Sequence, residues 1–322
     1  MQNTGYQVDK RIVDYVFLGS NSKIDNQIVM PNGDWHDYLP AAEYQRKGGM
    51  DTSNCVAFSA LNAIEIYFTY LIRNKKISNI NYEWLVNHGY IVNGKINFSD
   101  RFVGRNAGTK VGYGNTGTRV ANAIVEHGLV PEDVWPFMEG VDAKEYYTKL
   151  PPNVSMLGIE FKDRFLTPFE VVRENTILTA LQYAPVQVFV NAWYNKNGIY
   201  YNPDNNINHA VVRVSKDGKQ IFDHYNPFLK QLTPDYHYNP WGFKFHVTEI
   251  ISPMNIEEFL RDNDLLFVRN KKTGQFGRIM QEKLMVVETE DRGTLMLMDD
   301  AVRRNGRGLE QDEWDQLPIK KF

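Results

Sequence analysis

Cysteine is almost missing from this chain: among 322 residues there is one, Cys55. A single thiol excludes an intrachain disulfide framework and any metal site built on several thiolates, and it suits a reducing compartment. An excess of charge of either sign is also lacking. Lys and Arg number 36 against 39 Asp and Glu, for a formal charge of −3 with the signs interspersed. No extended cationic face for nucleic acid and no acidic tail is therefore expected. The opening residues MQNTGYQVDKRIVDYVF lack the cationic start, apolar run and small-residue cleavage site of a secretory leader. The one long apolar run, Cys55 to Ile72, approaches the length of a membrane span but carries Asn62 and Glu65. A central polar pair is costly in lipid, so the run reads as a buried helix and no membrane partner is expected.

What is present is a globular composition, 43% hydrophobic, enough to bury a sizeable core. Residues 1–33 are mixed and polar, read as a lead-in strap with one strand at Ile12 to Leu18 and a closing turn Pro31-Asn32-Gly33. Ser53 and Asn54 are good N-cap types, and a helix is predicted from there to about Arg73. Further helices are predicted at Tyr82 to Asn87, at Thr118 to His127 with Gly128 as its stop, and at Pro168 to Tyr183, with a glycine-rich loop over Val103 to Thr118. The second half turns β-rich. PVQVFVNAW, HAVVRV and KQIFDHY read as strands, the last two joined as a hairpin by Ser215-Lys216-Asp217-Gly218. Beyond Trp241-Gly242, four short strand candidates, at Leu265 to Val268, Gly277 to Met280, Leu284 to Val287 and Thr294 to Met298, suggest a small β appendage. Helices first and strands later is the order of an α+β protein.

Cys55 falls at the first turn of its predicted helix, where unpaired N–H groups and the helix dipole favour a thiolate. Against this stands the ordinary behaviour of a free cysteine as a small buried hydrophobe. A nucleophile also needs a base and a group to orient it. His209 opens the strand HAVVRV, and Asp223 and Asn226 lie on the neighbouring strand of the hairpin, so the hairpin brings them together. Two other patterns carry less. GYGNTG, Gly112 to Gly117, matches a dinucleotide fingerprint but follows the loop RNAGTK and not a buried strand. His237 and His246 stand apart, with no HExxH and no Cys/His cluster, so neither metal nor cofactor is expected.

The order Cys55, His209, Asp223 or Asn226 resembles that of the papain-like cysteine peptidases. The likeness continues along the chain in the same order. DWHDYLPAAEYQ resembles the family's entry segment up to its oxyanion-hole glutamine, and CVAFSALNAIE its nucleophile helix. INFSDRF resembles a helix start of the family, and GTKVGYGNTGTRVANAIVEHGLVPEDVWPF its cleft loop and following helix. APVQVFVNAW, NGIYYNP, NHAVVRV and QIFDHYNPF resemble its later strands. The resemblance implies a two-lobed α+β papain-like fold over 34–243, helical over 34–150 and antiparallel β over 151–243, with 244–322 as a β-rich extension and a possible surface for protein assembly.

It also implies a peptidase acting on a peptide or protein substrate through a thioester. Cys55 would be the nucleophile, His209 the base, Asp223 the orienting group and Gln45 an oxyanion donor, with Gly112, Gly114 and Asn208 against the substrate. The chain departs from the pattern in RKGGMDTSN, which is longer than the family's spacing between glutamine and cysteine, so Asp51 or Thr52 stands as an alternative to Gln45. Val56 replaces the usual Trp, the family's disulfide cysteines are absent, and residues 1–33 are too short for its folded prodomain, so zymogen control of that kind is not expected. The style of the sequence is similar to phage-encoded or bacterial intracellular members, which implies a cytoplasmic or virion-associated protein. The alternatives are an inactive papain-fold module of a larger assembly and a Cys/His amidase acting on cell-wall peptides.

Overall fold

The computed structural model describes residues 5–7, 27–148, 150–204, 206–250, 267–280, 283–287, 307–309, 314–317 and 319–320. The chain divides into two compact units, Met1–Ile250 and Ile251–Phe322. The second contains a five-stranded sheet in the order Arg307–Leu309, Phe267–Asn270, Phe276–Met280, Lys283–Val287, Ile319–Lys320. The strand candidates at 12–18 and 294–298 lie outside the described residues.

The first unit is organised around one helix, α1, Cys55–Arg73, in which every residue from Cys55 to Leu71 is buried. Apolar side chains on all sides of a helix require partners on all sides. Each fully buried side chain such as Leu61, Ile64 or Phe68 contributes about 1.5–3 kcal/mol relative to exposure. On one side lie α3, Asp100–Asn106, capped by Ser99, and α4, Gly117–His127, which ends at Gly128 with φ of 71°, while α2, Asn79–Asn87, capped by the Ser78 hydroxyl, packs on the short strand Ile91–Val92. Helix α1 is long and apolar enough to cross a membrane, but 89% of that stretch is packed inside the protein, as in a core helix.

The other side is an eight-stranded sheet in the order Phe169–Arg173, Tyr238–Phe245, Val186–Val190, His209–Arg213, Gln220–Phe222, Leu229–Leu232, Ile199–Tyr201, Tyr194–Lys196. All but one of its neighbouring pairs are antiparallel. The hairpin expected across Ser215–Gly218 is present, pairing Val212 with Phe222 and Arg213 with Ile221.

Three local readings are corrected. Pro168 to Tyr183 is not one helix. Phe169–Arg173 is a strand, and the helical turn begins only at Ile177. Residues Phe169 to Val172 are buried and pair with Tyr238–Phe245, and Glu170 meets Lys244 across the register in a buried ion pair at 2.7 Å. A strand covered on both faces has no alternation to read, and pairing decides its state. The glycine-rich loop begins later than Val103, because Ser99 accepts from the Phe102 N–H and starts α3 ahead of it. The unanticipated helix Pro152–Lys162 packs against α4 at a close approach of Gly128 to Gly158, where a Cβ on Gly128 would stand 2.0 Å from the Gly158 oxygen.

Candidate active site

Cys55 is the first residue of α1, and two polar contacts fix that turn. Ser59 Oγ donates to the Cys55 oxygen at 2.7 Å, and the buried Gln187, from the sheet, donates through Nε2 to the Val56 oxygen at 2.8 Å. Ahead of the cysteine, Asn54 donates to the Asp100 oxygen at 2.8 Å, packed so tightly on Gly104 that a Cβ there would lie 2.4 Å from the Asn54 amide. Helix α1 packs on the strand His209–Arg213. The backbone N–H groups of Ala210 and Val56 point at the Cys55 sulfur.

His209 is fully buried, and its Nε2 lies 2.8 Å from Asp223 Oδ1. An ionised carboxylate only accepts, so the imidazole proton sits on Nε2 and Nδ1 is left as the basic nitrogen. Nδ1 has no hydrogen-bond partner. The Trp193 ring stands edge-on to the imidazole at 5.4 Å. A cavity of about 770 Å³ opens among Asp51, Ser53, Gly112, Trp193, His209 and Tyr225. Asn226, the alternative orienting residue, lines that cavity, while Asp223 is the one on the imidazole.

Many solved structures are similar to the chain. Xylellain, a cysteine protease from Xylella fastidiosa, is 16% identical at a TM-score of 0.50, over 77% of this chain and 96% of its own. Digestive procathepsin L 3 of Tenebrio molitor larval midgut is 14% identical at a TM-score of 0.47, over 76% of each chain. The fold is papain-like. No protein-family model and no curated protein matches the chain.

Behind the imidazole, the candidate site of this papain-like fold has a residue that the sequence did not single out. Lys230 is buried and donates to Asp223 Oδ2 at 2.7 Å and to the Tyr225 oxygen at 2.6 Å, with its ammonium over the Trp193 and Tyr200 rings at 5.1 and 5.5 Å. Its signal was the strand alternation in Leu229–Leu232, which puts Lys230 on the inward face with Leu232. Burial pulls the Lys230 ammonium below its usual range, opposed by Asp223. For Asp223 burial acts upward, yet His209, His224 and Lys230 together hold the carboxyl well below the usual range. Next to it, His224 is driven down to about 3, mainly by burial.

The extra length in RKGGMDTSN is a looped-out hairpin, β1, Arg46–Lys47, and β2, Met50–Asp51, turning on Gly48 and Gly49, both with positive φ. It carries the chain back so that the Thr52 N–H, three residues before Cys55, donates to the Gln45 oxygen at 3.3 Å despite the longer sequence. The Gln45 amide is, however, already engaged, with Nε2 donating to Asp51 Oδ1 at 2.6 Å. Asp51 also accepts from the Ser53 N–H at 2.9 Å and from the Tyr225 hydroxyl. The expected low thiol pKa at the helix start is corrected here. Burial first, and then the charges of Asp51 and Asp223, push Cys55 well above its ordinary value, outweighing the N–H groups of Ala210 and Val56. Replacing Asp51→Asn removes one of those charges, so the pH profile of Cys55 alkylation should move to lower pH, which a labelling series followed by intact mass measures.

Of the expected substrate contacts, Gly112 lines the cavity and donates through its N–H to Ser53 Oγ at 2.8 Å, with φ of 80°. Asn208 is tied into the scaffold, its Oδ1 accepting from the Ala192 N–H at 3.0 Å. Gly114 packs on the backbone of Gly5. Two clusters among the described residues place three ligand-type side chains together: His209, Asp223 and His224, and separately Glu43, Asp100 and Glu132. In the second, burial raises all three carboxyls and Glu65 beside them; neighbouring carboxylates add to the rise at Asp100, Glu132 and Glu65, whereas hydrogen bonds from Asn97 and Asp100 oppose it at Glu43.

Proposed function

We propose that the protein is a cysteine peptidase with Cys55 as nucleophile, His209 as general base and acid, and Asp223 as the group that orients the imidazole. The observation that carries the reading is the buried imidazole fixed through Nε2 on Asp223, its Nδ1 without a partner, on the strand whose next residue, Ala210, faces the only thiol. With burial keeping the thiol protonated at rest, transfer of the sulfur proton to Nδ1 accompanies attack on the scissile carbonyl. The imidazolium then protonates the leaving amine, and the same ring activates water against the thioester. The Cys55 N–H and the Gln45 amide are the oxyanion donors this reading requires. The acyl acceptor and the bond are not fixed by this chemistry, which serves amidases equally.

A second reading is favoured by the Asp51 carboxylate held on the Gln45 amide: a peptide-binding module that keeps the fold without the reaction. Iodoacetamide separates the two. The peptidase reading expects alkylation of Cys55 below about pH 8, slowed about tenfold or more by His209→Ala in a variant shown by melting to be folded. Slow labelling that is equal in both proteins favours the binding module.

A further inference from the structure

Away from the imidazole, carboxyl groups from separate stretches of the chain meet in one place. Glu43 comes from the segment ahead of Gln45, Glu65 from the middle of α1, Asp100 from the first turn of α3 and Glu132 from the short helical turn Glu132–Val134. One oxygen each of Glu43, Asp100 and Glu132 lies within 4.8 Å of the others. Glu65 stands beside them, buried. Among the described residues no ion pair reaches any of these acids. Lys47, whose charge acts on Glu43 and Glu132, places its ammonium instead on the Phe137 oxygen at 2.8 Å.

The scaffold orients these groups without neutralising them. Asn97 Nδ2 donates to Glu43 Oε1 at 2.8 Å, the Phe98 N–H to Glu65 Oε1 at 2.9 Å and the Phe137 N–H to Glu132 Oε1 at 3.1 Å. The second oxygen of Glu132, Oε2, is buried and has no hydrogen-bond partner. Asp100 is only 4% exposed, and its carboxyl meets that of Glu43, with no donor from outside the cluster among the described residues. Buried carboxylate oxygens without donors are costly, and several of them side by side cannot all ionise unless a cation sits among them.

We propose that Glu43, Asp100 and Glu132 form a binding site for a hard dication of the size of Ca2+, with Glu65 adding to the negative charge around it. Calcium takes about six to eight oxygens at about 2.3–2.6 Å, so two of its ligands stand up to about 5 Å apart. The three carboxylates already lie inside that span. Glu43 is half-buried, which leaves a side open for water ligands and for entry of the ion. No spacing motif marks the site, because each ligand comes from a different element. Bound there, the ion ties the segment leading to Gln45 to the first turn of α3, where the Asp100 oxygen holds the Asn54 amide next to Cys55. The site needs no part of the peptidase reading.

The test uses the full chain, stripped with EDTA and dialysed. About 1 mM Ca2+ should raise its melting temperature by about 5 °C or more over the value in EDTA. Tb3+ should bind with emission sensitised through tryptophan, and Ca2+ should displace it. Glu132→Gln and Glu43→Gln each remove one ligand and one buried charge without adding bulk, and circular dichroism in EDTA checks that they fold. Both should lose the melting shift and about tenfold or more in Tb3+ affinity. Glu126→Gln, at an exposed position on α4, should keep both. Equal melting temperatures in Ca2+ and EDTA, or a shift that both cluster variants retain, overturns the proposal and leaves a cluster held together by protons alone.

Discussion

Replacing Asp223→Ala should lower the stability of the first unit by about 3–5 kcal/mol, because it leaves a buried ammonium without its counter-charge. The buried Lys230 has one carboxylate partner, Asp223 Oδ2 at 2.7 Å, and otherwise only carbonyl oxygens and aromatic faces. The same substitution frees the His209 ring from its 2.8 Å bond. Asp223→Asn keeps an acceptor for His209 but not the charge for Lys230, so it should lose a large part of the same stability. The double variant Asp223→Ala with Lys230→Met removes both charges and should recover much of the loss, since a buried pair is costly mainly when broken on one side. Urea unfolding of the unaltered protein, these three variants and Lys230→Met alone decides this. Additive losses would mean that Lys230 and Asp223 do not act as a pair.

A second large effect is expected in acid. His224 has neither ring nitrogen hydrogen-bonded, its Nδ1 lying 3.8 Å from Asp223 Oδ1, and its ring packs against His209 at 4.7 Å and Phe58 at 5.3 Å. Its pKa is pushed down to about 3, against an unfolded value of 6.5. A depressed folded pKa contributes stability fully present above the unfolded value and lost as pH falls through the folded one. The window is therefore about pH 6.5 down to 3, and the loss is on the order of 5 kcal/mol. Asp223, also depressed, adds to the loss only below about pH 4. His224→Phe fits a slot already lined by aromatic rings, so at neutral pH it should be neutral or stabilising by about 1 kcal/mol. It should also flatten the acid limb of stability between pH 6.5 and 4. A variant with an unchanged acid limb would place the sensitivity elsewhere.

How much of this was legible in the sequence follows from how local each signal was. The start of α1 was readable because SNCVAF passes from polar to apolar at one point, and the His209–Asp223 hairpin because Ser215–Gly218 is a strong turn. Strand parity separated Asp223 from Asn226, and the structure puts Asp223 on the imidazole. The segment after Pro168 was misread because FEVVR fits either period until its partner strand, far along the chain, is known. The hairpin in RKGGMDTSN read as mere extra length, although its paired glycines marked a turn. The alternation in Leu229–Leu232 turns Lys230 inward, but its partners, Asp223 and the Trp193 and Tyr200 rings, are set by tertiary contacts that the alternation does not announce.

The placement of Cys55 at the end of α1 has one more consequence. The helix is enclosed along nearly its whole length, and its first turn is clamped by Ser59 and Gln187. A terminus held in this way has no fraying mode of its own, so its opening free energy approaches that of the whole unit. The geometry around Cys55 therefore persists unaltered while the first unit is folded and disappears with it in one cooperative event.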